Sequence, residues 1–300
     1  MWILIALIGY ALFAVVFILD KRILTNEKQS PIVYTFYSTV FLLLVGLAWF
    51  FIPFSFDPKF WLVSLISGFT FIVGLYTMFV AVSKSEASHI DPFIGAMITV
   101  TTFFLARFFL NEALTIRQMA GIGLLIVASV FLSFKKTPQN KTHWRWYAIG
   151  IVAGIFFGIS NVSAKYLYDT FSFIPGLIGS RFAAGLGGLV LLLLPSVWKT
   201  FLPSAKKSAK VSTTKQPLGL VALDKVCGLI AILLLQWATA LGSVTAVNAL
   251  AGWQYALMFV IILVLSHRRS NFLREYLTKR EIIVETAALV LVIIGLVLII

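Results

Sequence analysis

Phe109-Leu-Asn-Glu-Ala-Leu-Thr-Ile-Arg117 is a short polar segment that closes one apolar run of the chain and opens the next. Phe272-Leu-Arg-Glu-Tyr-Leu-Thr-Lys-Arg280 does the same 163 residues later, and six of the nine positions agree. We call them the first and second hinge segments. The apolar run after each hinge segment ends one half of the chain, so we interpret the two as equivalent points of an internal duplication.

Further matched positions support the duplication. The difference in residue number between matched positions only grows along the chain, which is what loop insertions in the second copy would produce. These positions are Lys21 with Lys165 and Pro31 with Pro175 at an offset of 144, then Ala81 with Ala240 and Ala87 with Ala246 at an offset of 159. The predicted repeats are residues 1–134 and 147–300, joined by a linker at 135–146. The second repeat contains a basic loop at 196–217.

The composition predicts an integral membrane protein. Hydrophobic residues make up 60% of the chain and charged residues 12%, with a mean hydropathy of +1.00, whereas about 25% of residues are charged in soluble domains. The net charge of +13 does not indicate nucleic acid, because the basic residues lie in loops between apolar runs. The single cysteine and the scattered histidines form no metal-binding pattern, and no cofactor is expected.

Ten apolar runs are long enough to cross a bilayer, which takes about 20 residues per helix. They are 2–20, 32–52, 60–82, 92–110, 118–134, 147–166, 175–195, 218–241, 247–266 and 282–300. Helices are required because hydrocarbon cannot satisfy backbone polar groups, and continuous rather than alternating apolar runs exclude a barrel. Proline does not signal a broken helix, since all nine prolines lie at run ends or in loops.

Five helices per half have a topological consequence. After five crossings the chain stands on the opposite face of the membrane, so the second half enters inverted. We therefore predict an all-α integral membrane fold with ten transmembrane helices as two inverted five-helix repeats. Inverted repeats are typical of secondary transporters, whose site lies near the midplane between the halves.

Small residues predict where helices approach closely. Gly150, Gly154 and Gly158 share one face of the sixth run, and Ala6 and Ala14 occupy the places of Gly150 and Gly158 in the first run. Small residues at four-residue spacing let helix backbones pack against each other.

The sequence is similar to the drug/metabolite transporter superfamily, in its ten-helix EamA-type branch, over essentially the whole chain. The matching residues are Pro92, the first hinge segment with Glu112, Gln118, Gly121, the second hinge segment with Glu275, and Lys165, Pro175 and Arg181. Tyr37 stands where the first-half arginine is expected, and Ile283–Glu285 replaces the second glutamine-glycine step. The resemblance implies transport of small metabolites, often export, without a bound cofactor.

Polar residues inside apolar runs are the candidate substrate site, because such groups are costly in a membrane and mark function. They are Arg181, Gln236, Trp253, Gln254 and Tyr255, with Lys165 at the edge and Tyr37 opposite. We expect Arg181 to supply positive charge for an anionic or carboxylate-bearing substrate; a structural ion pair is the alternative. Lys165 reaches either the site or the headgroups.

Two further pairs of residues keep two interpretations each. Glu112 and Glu275 in the hinge segments either order the helix-to-helix turn or act in gating. Asp224 and Lys225 pair at an interface or contact substrate.

The predicted function is secondary-active transport of a small metabolite by alternating access, in the direction of export. The alternatives are a membrane-embedded enzyme acting on lipid-linked substrates and a non-transporting scaffold or receptor. Enzyme motifs are absent from the sequence, so we expect no enzyme activity. The expected partners are the metabolite, the lipid bilayer of the plasma (inner) membrane, and a coupling proton or ion, with a homodimer also compatible.

Charge distribution predicts the orientation. Loops after the odd-numbered runs hold 18 of the 24 Lys and Arg residues, and the opposite loops and helix ends hold four. Basic loops stay in the cytoplasm, which places the 196–217 loop inside and both termini outside. The family resemblance implies the reverse, with both termini inside.

A cysteine introduced at Ser208, in a Cys227→Ser background, distinguishes the two orientations. The charge distribution predicts that a membrane-impermeant thiol reagent labels it only after the cells are permeabilised. Labelling of intact cells would contradict the charge-based orientation.

Overall fold

The chain folds into helices in every part that the structure, a computed structural model, describes. These parts are residues 1–26, 30–52, 56–84, 87–133, 144–198, 218–268 and 279–299, and no strand occurs in them. The helices are α1 (Trp2–Asn26), α2 (Pro31–Thr39), α3 (Pro58–Lys84), α4 (Ala87–Phe109), α5 (Ile116–Ser133), α6 (Trp144–Phe171), α7 (Phe173–Val190), α8 (Pro195–Trp198), α9 (Leu218–Leu241), α10 (Val244–Ala249), α11 (Ala251–Arg268) and α12 (Lys279–Ile299).

Eight stretches of the described residues are long and apolar enough to cross a membrane. They are Trp2–Asp20, Pro31–Phe50, Pro58–Lys84, Ile90–Phe109, Trp144–Phe171, Phe173–Leu193, Ala222–Leu241 and Val244–Ile261. Two shorter apolar helices, Ile116–Phe131 and Thr286–Ile299, occupy the positions of the fifth and tenth predicted runs. The all-helical membrane fold is therefore confirmed, and the count of ten crossings stays a prediction.

The second crossing changes its helical form along its length. Pro31 begins α2 at the position where its missing N–H costs nothing, and the segment Val40–Phe50 continues as a 3₁₀ helix. Thr39 donates its hydroxyl to the carbonyls of Thr35 (2.8 Å) and Phe36 (3.3 Å). Such bonds to the preceding turn bend helices, which accounts for the change at this residue.

Helices such as α1 and α6 extend several residues beyond the predicted runs, and two others differ in more than their length. The fourth begins at Ala87, so Pro92 lies inside α4 and not at its start. The ninth predicted helix is divided at Leu250 into α10 and α11. The sequence predicted only that proline signals no broken helix, and this helix is interrupted where no proline occurs.

The glycine face of α6 packs directly on α4. Gly150 lies against Phe93 and Ile94, while Gly154 and Gly158 lie against the α4 turns at 97–98 and 101–102. The equivalent residues of α1, Ala6 and Ala14, are fully buried in a core cluster with α9 and α11. The small residues therefore set the close approach of helices in both halves, as their spacing predicts.

The contacts between helices follow a pattern that an exchange of the two halves would produce. The most extensive contacts join α3 to α6 and α1 to α9, which are the third with the sixth crossing and the first with the eighth. In the duplication the third crossing corresponds to the eighth, and the sixth corresponds to the first. Exchanging the halves therefore converts one of these pairs into the other. The fifth and tenth positions, α5 and α12, also pack together, and Gly121 and Gly295 meet there.

The first hinge segment is a helix end followed by a capped helix start. Asn111 has a positive φ of 52°, and the amides of Leu110 and Glu112 both donate to the Ala106 carbonyl. Thr115 and Gln118 then cap α5 reciprocally, each backbone amide donating to the other side chain (3.1 and 3.2 Å). The sequence Thr278-Lys-Arg-Glu281 repeats this spacing. Residues 272–278 of the second hinge segment lie outside the described residues.

We predict that Gly154→Leu destabilises the protein and that Gly123→Leu does not. A side chain at residue 154 overlaps Met97, whereas a Cβ at residue 123 meets nothing within 4 Å. Overpacking of this kind costs about 1–3 kcal/mol, so thermal unfolding in detergent should begin several degrees lower for the first variant alone. Equal unfolding temperatures for the two variants would contradict the α4–α6 packing.

Candidate functional site

Arg181 is a cation buried in the helix bundle. It lies in the middle of α7 with 4% of its surface exposed, and its guanidinium carbon lies 4.9 Å from the centre of the Phe71 ring. Its Nε and Nη1 atoms have no hydrogen-bond partner among the described residues. Burying a charged group costs several kcal/mol unless partners or water offset it, so this group is placed where a ligand can complete its contacts.

Tyr168 connects Arg181 to Gln236 of α9. Its hydroxyl donates to Oε1 of Gln236 at 2.6 Å and interacts with the Arg181 guanidinium. Three helices, α6, α7 and α9, thus contribute to one polar group of residues, which we call the Arg181 site. The sequence analysis named Arg181 and Gln236 but missed Tyr168, whose position one turn after Lys165 was the available signal.

Lys165 is engaged outside the Arg181 site. Its ammonium group lies 2.9 Å from Oδ1 of Asp169, one turn later on α6, and donates to the Ala240 carbonyl at 3.3 Å. The pairing with Asp169 compensates its charge where the structure places it.

The three candidates on α11 lie in a different part of the interior. Gln254 is 2% exposed and its Nε2 has no partner in the described chain. Tyr255 is buried with its hydroxyl against Gly95 of α4, close enough to Asp91 and Tyr10 to interact electrostatically. Trp253 is half-buried and packs on the core cluster of α1, α9 and α11. The structure brings these residues together with α4, but nothing it describes joins them directly to Arg181.

Tyr37 occupies the position that corresponds to Arg181 in the first half, yet its surroundings differ. It is 42% exposed and its ring contacts Phe36. Tyr34, one turn earlier on α2, is the tyrosine that faces the interior. The first half therefore has no buried side chain at the repeat position that Arg181 occupies in the second half.

Glu112 joins the first hinge segment to the second half. Thr245 of α10, which is fully buried, donates its hydroxyl to Oε2 of Glu112. This contact gives Glu112 an interface role in the structure. Glu275, its counterpart, lies outside the described residues.

A second polar group, the Asp20 cluster, lies where α1 ends and where α2 and α9 begin. It contains Asp20, Tyr34, Asp224 and Lys225. The interpretation of Asp224 and Lys225 as an interface pair agrees with their 2.9 Å separation. In the described ranges, no group of three or more His, Cys, Asp or Glu side chains could hold a metal ion.

The comparisons with known proteins concern the first half and the overall fold. Residues 1–134 match the sequence model of the EamA-like transporter family. An uncharacterized protein of Methanocaldococcus jannaschii is 37% identical over 79 residues, or 26% of this chain and 56% of that protein. The match thus spans little more than half of that relative.

A solved protein crystal structure has a similar fold. It superposes with a TM-score of 0.62 and 16% sequence identity, covering 98% of this chain and 97% of that chain. At this identity the likeness shows the fold alone.

We predict that Glu112→Ala lowers stability more than Glu112→Gln. The alanine variant leaves the buried Thr245 hydroxyl without its acceptor, which costs about 1–3 kcal/mol, whereas glutamine retains a carbonyl oxygen. Thermal unfolding of the purified variants measures the difference. A loss of transport in Glu112→Ala at unchanged stability would contradict the interface role and favour gating.

Proposed function

We propose that this chain, whose residues 1–134 belong to the EamA-like transporter family, is a secondary transporter of a small carboxylate-bearing metabolite. The match of residues 1–134 to this family and the apolar helices support a multi-pass membrane transporter. The substrate class, alternating access and export across the plasma (inner) membrane are our proposal.

The buried Arg181 guanidinium is the observation that carries the substrate class. Two of its nitrogen atoms have no partner in the described chain, and a planar fork of donors matches a carboxylate. A ligand carboxylate offsets the cost of burying the cation and satisfies these donors at the same time. Tyr168 and Gln236, which bind each other across α6 and α9, are placed to fix the orientation of the ligand.

The arrangement of the halves supports alternating access. The Arg181 site takes residues from α6, α7 and α9, while α9 packs on α1 of the first half. A movement of α9 relative to α1 therefore changes the surroundings of Gln236. Inverted halves that rock about a shared site expose it to each face in turn.

Reconstituted protein tests the proposal by counterflow. Proteoliposomes loaded with one member of a panel of amino acids, carboxylic acids, nucleosides and sugar derivatives should take up the labelled form of a carboxylate-bearing compound. Arg181→Ala should reduce uptake about 30-fold or more, since losing one partner of a buried charge pair costs about 2–5 kcal/mol. Arg181→Lys should retain part of the rate, because it keeps the charge without the planar fork.

The matched control is Arg145→Ala, an exposed arginine in the first turn of α6. Each variant is compared for insertion and thermal unfolding before transport is measured. If Arg181→Ala folds normally and transports at the parental rate, its charge is structural and the site assignment is wrong.

A further inference from the structure

The Asp20 cluster brings two buried carboxylates to one tyrosine hydroxyl. Asp20 of α1 and Asp224 of α9 are 8% and 1% exposed. The Tyr34 hydroxyl of α2 is hydrogen-bonded to Oδ1 of Asp20 and lies 3.2 Å from Oδ2 of Asp224. The cluster therefore joins the first half of the chain to the second.

The cluster is short of one hydrogen-bond donor. Tyr34 has a single hydroxyl proton and accepts a hydrogen bond from Lys225 at 2.8 Å, so it can donate to only one carboxylate at a time. Oδ1 of Asp224 has no partner among the described residues. A proton on one of the carboxyl groups supplies the missing donor.

The charges of the cluster also do not balance. The Lys225 ammonium group lies 2.9 Å from Oδ2 of Asp224 and 3.8 Å from Oδ1 of Asp20. Among the side chains that the structure describes, two carboxylates therefore face one cation. Like charges in a shared buried site cannot both ionise at low cost. The lysine already occupies the position between the carboxylates that a metal cation would take, so a proton is the better-suited cation.

We propose that the Asp20–Asp224 pair binds one exchangeable proton and that this proton is the coupling ion of the transporter. The proton moves from water to a carboxylate oxygen of the pair, which neutralises one negative charge, and returns to water when the pair ionises. This inference rests on the proposed transport function for the coupling, but the proton site itself does not.

The described groups that face the pair are few. Tyr34 and Ser38 come from α2, Lys225 comes from α9, and the Phe79 ring of α3 lies against Tyr34. The Lys225 ammonium group also lies 4.0 Å from the centre of the Tyr34 ring. Lysine is therefore the only described cation against the pair, and it contacts both carboxylates.

Helix α9 connects the proton site to the Arg181 site. Asp224 and Gln236 are twelve residues apart on this helix, about 18 Å along its axis. Protonation changes the attraction between α9 and α1 at one end of the helix. Any shift of α9 that follows acts on Gln236 at the other end, which couples the proton to the ligand.

Infrared difference spectroscopy of the purified protein in liposomes tests the proton site without a substrate. Lowering the pH should raise the intensity of the carboxylic-acid C=O band by an amount that corresponds to one proton per chain. Asp20→Asn and Asp224→Asn should each remove that change, and Asp57→Asn, an exposed control, should keep it. In Lys225→Met the proton should leave at a higher pH, because the cation that favours the ionised form is gone.

Transport assays test the coupling. The parental protein should accumulate its substrate when an imposed pH gradient is the only driving force. Asp20→Asn and Asp224→Asn should lose this accumulation at least tenfold while keeping counterflow, which needs no gradient. Failure of the proposed function appears instead as no counterflow in the parental protein.

Two results would overturn the inference. One is a carboxylic-acid band that still changes with pH, at the parental amplitude, in both asparagine variants. The other is accumulation driven by the pH gradient at the parental rate in both variants.

Discussion

A buried guanidinium is the constraint on which the interior of this protein depends. Arg181 sits within a membrane-crossing helix, where neither lipid nor an apolar neighbour can replace the water it has lost. The Phe71 ring and Tyr168 give partial compensation. In the proposed function the remaining donors bind a negatively charged substrate, so the same cost that makes the residue rare in membranes makes it informative about the ligand.

The two halves are held together by polar contacts as well as by small residues. Glu112 accepts a hydrogen bond from Thr245, and Asn248 donates to the Thr102 hydroxyl at 3.4 Å. Ser67 and Ser160 exchange hydrogen bonds between α3 and α6 (3.0 and 2.8 Å). In a membrane the hydrophobic effect does not select between apolar surfaces, so these contacts fix which helices pair. Helix α9 combines both kinds of contact, because it packs on α1 and carries polar residues near both ends.

The sequence predicted the helices more accurately than the contacts between them. Apolar runs identify helices because the bilayer sets one length for each crossing. Glycine spacing predicted the face of α6 that packs closely, but not that α4 is its partner. The cap of α5 by Thr115 and Gln118 was not predicted and is seen only in the structure. The site was predicted only in part: Arg181 and Gln236 were identifiable by their polarity, but Tyr168 and Tyr34 were not. A tyrosine is common at membrane depth, so its importance comes from three-dimensional neighbours that the sequence does not show. Tyr37 was chosen by repeat position, yet in the structure it is exposed and Tyr34 is the buried tyrosine of α2.

The central claim is that the buried Arg181 guanidinium binds a carboxylate, and matched pairs of ligands test it most directly. Each pair consists of a carboxylate-bearing compound and its amide, which have nearly the same shape but differ in charge. A ligand that binds only the folded protein stabilises it in proportion to its affinity, so thermal unfolding of the purified transporter measures the preference. The account predicts that one carboxylate raises the unfolding temperature, that its amide does not, and that the difference disappears in Arg181→Gln. Equal stabilisation by both members of the pair, or a difference that survives in Arg181→Gln, would contradict it.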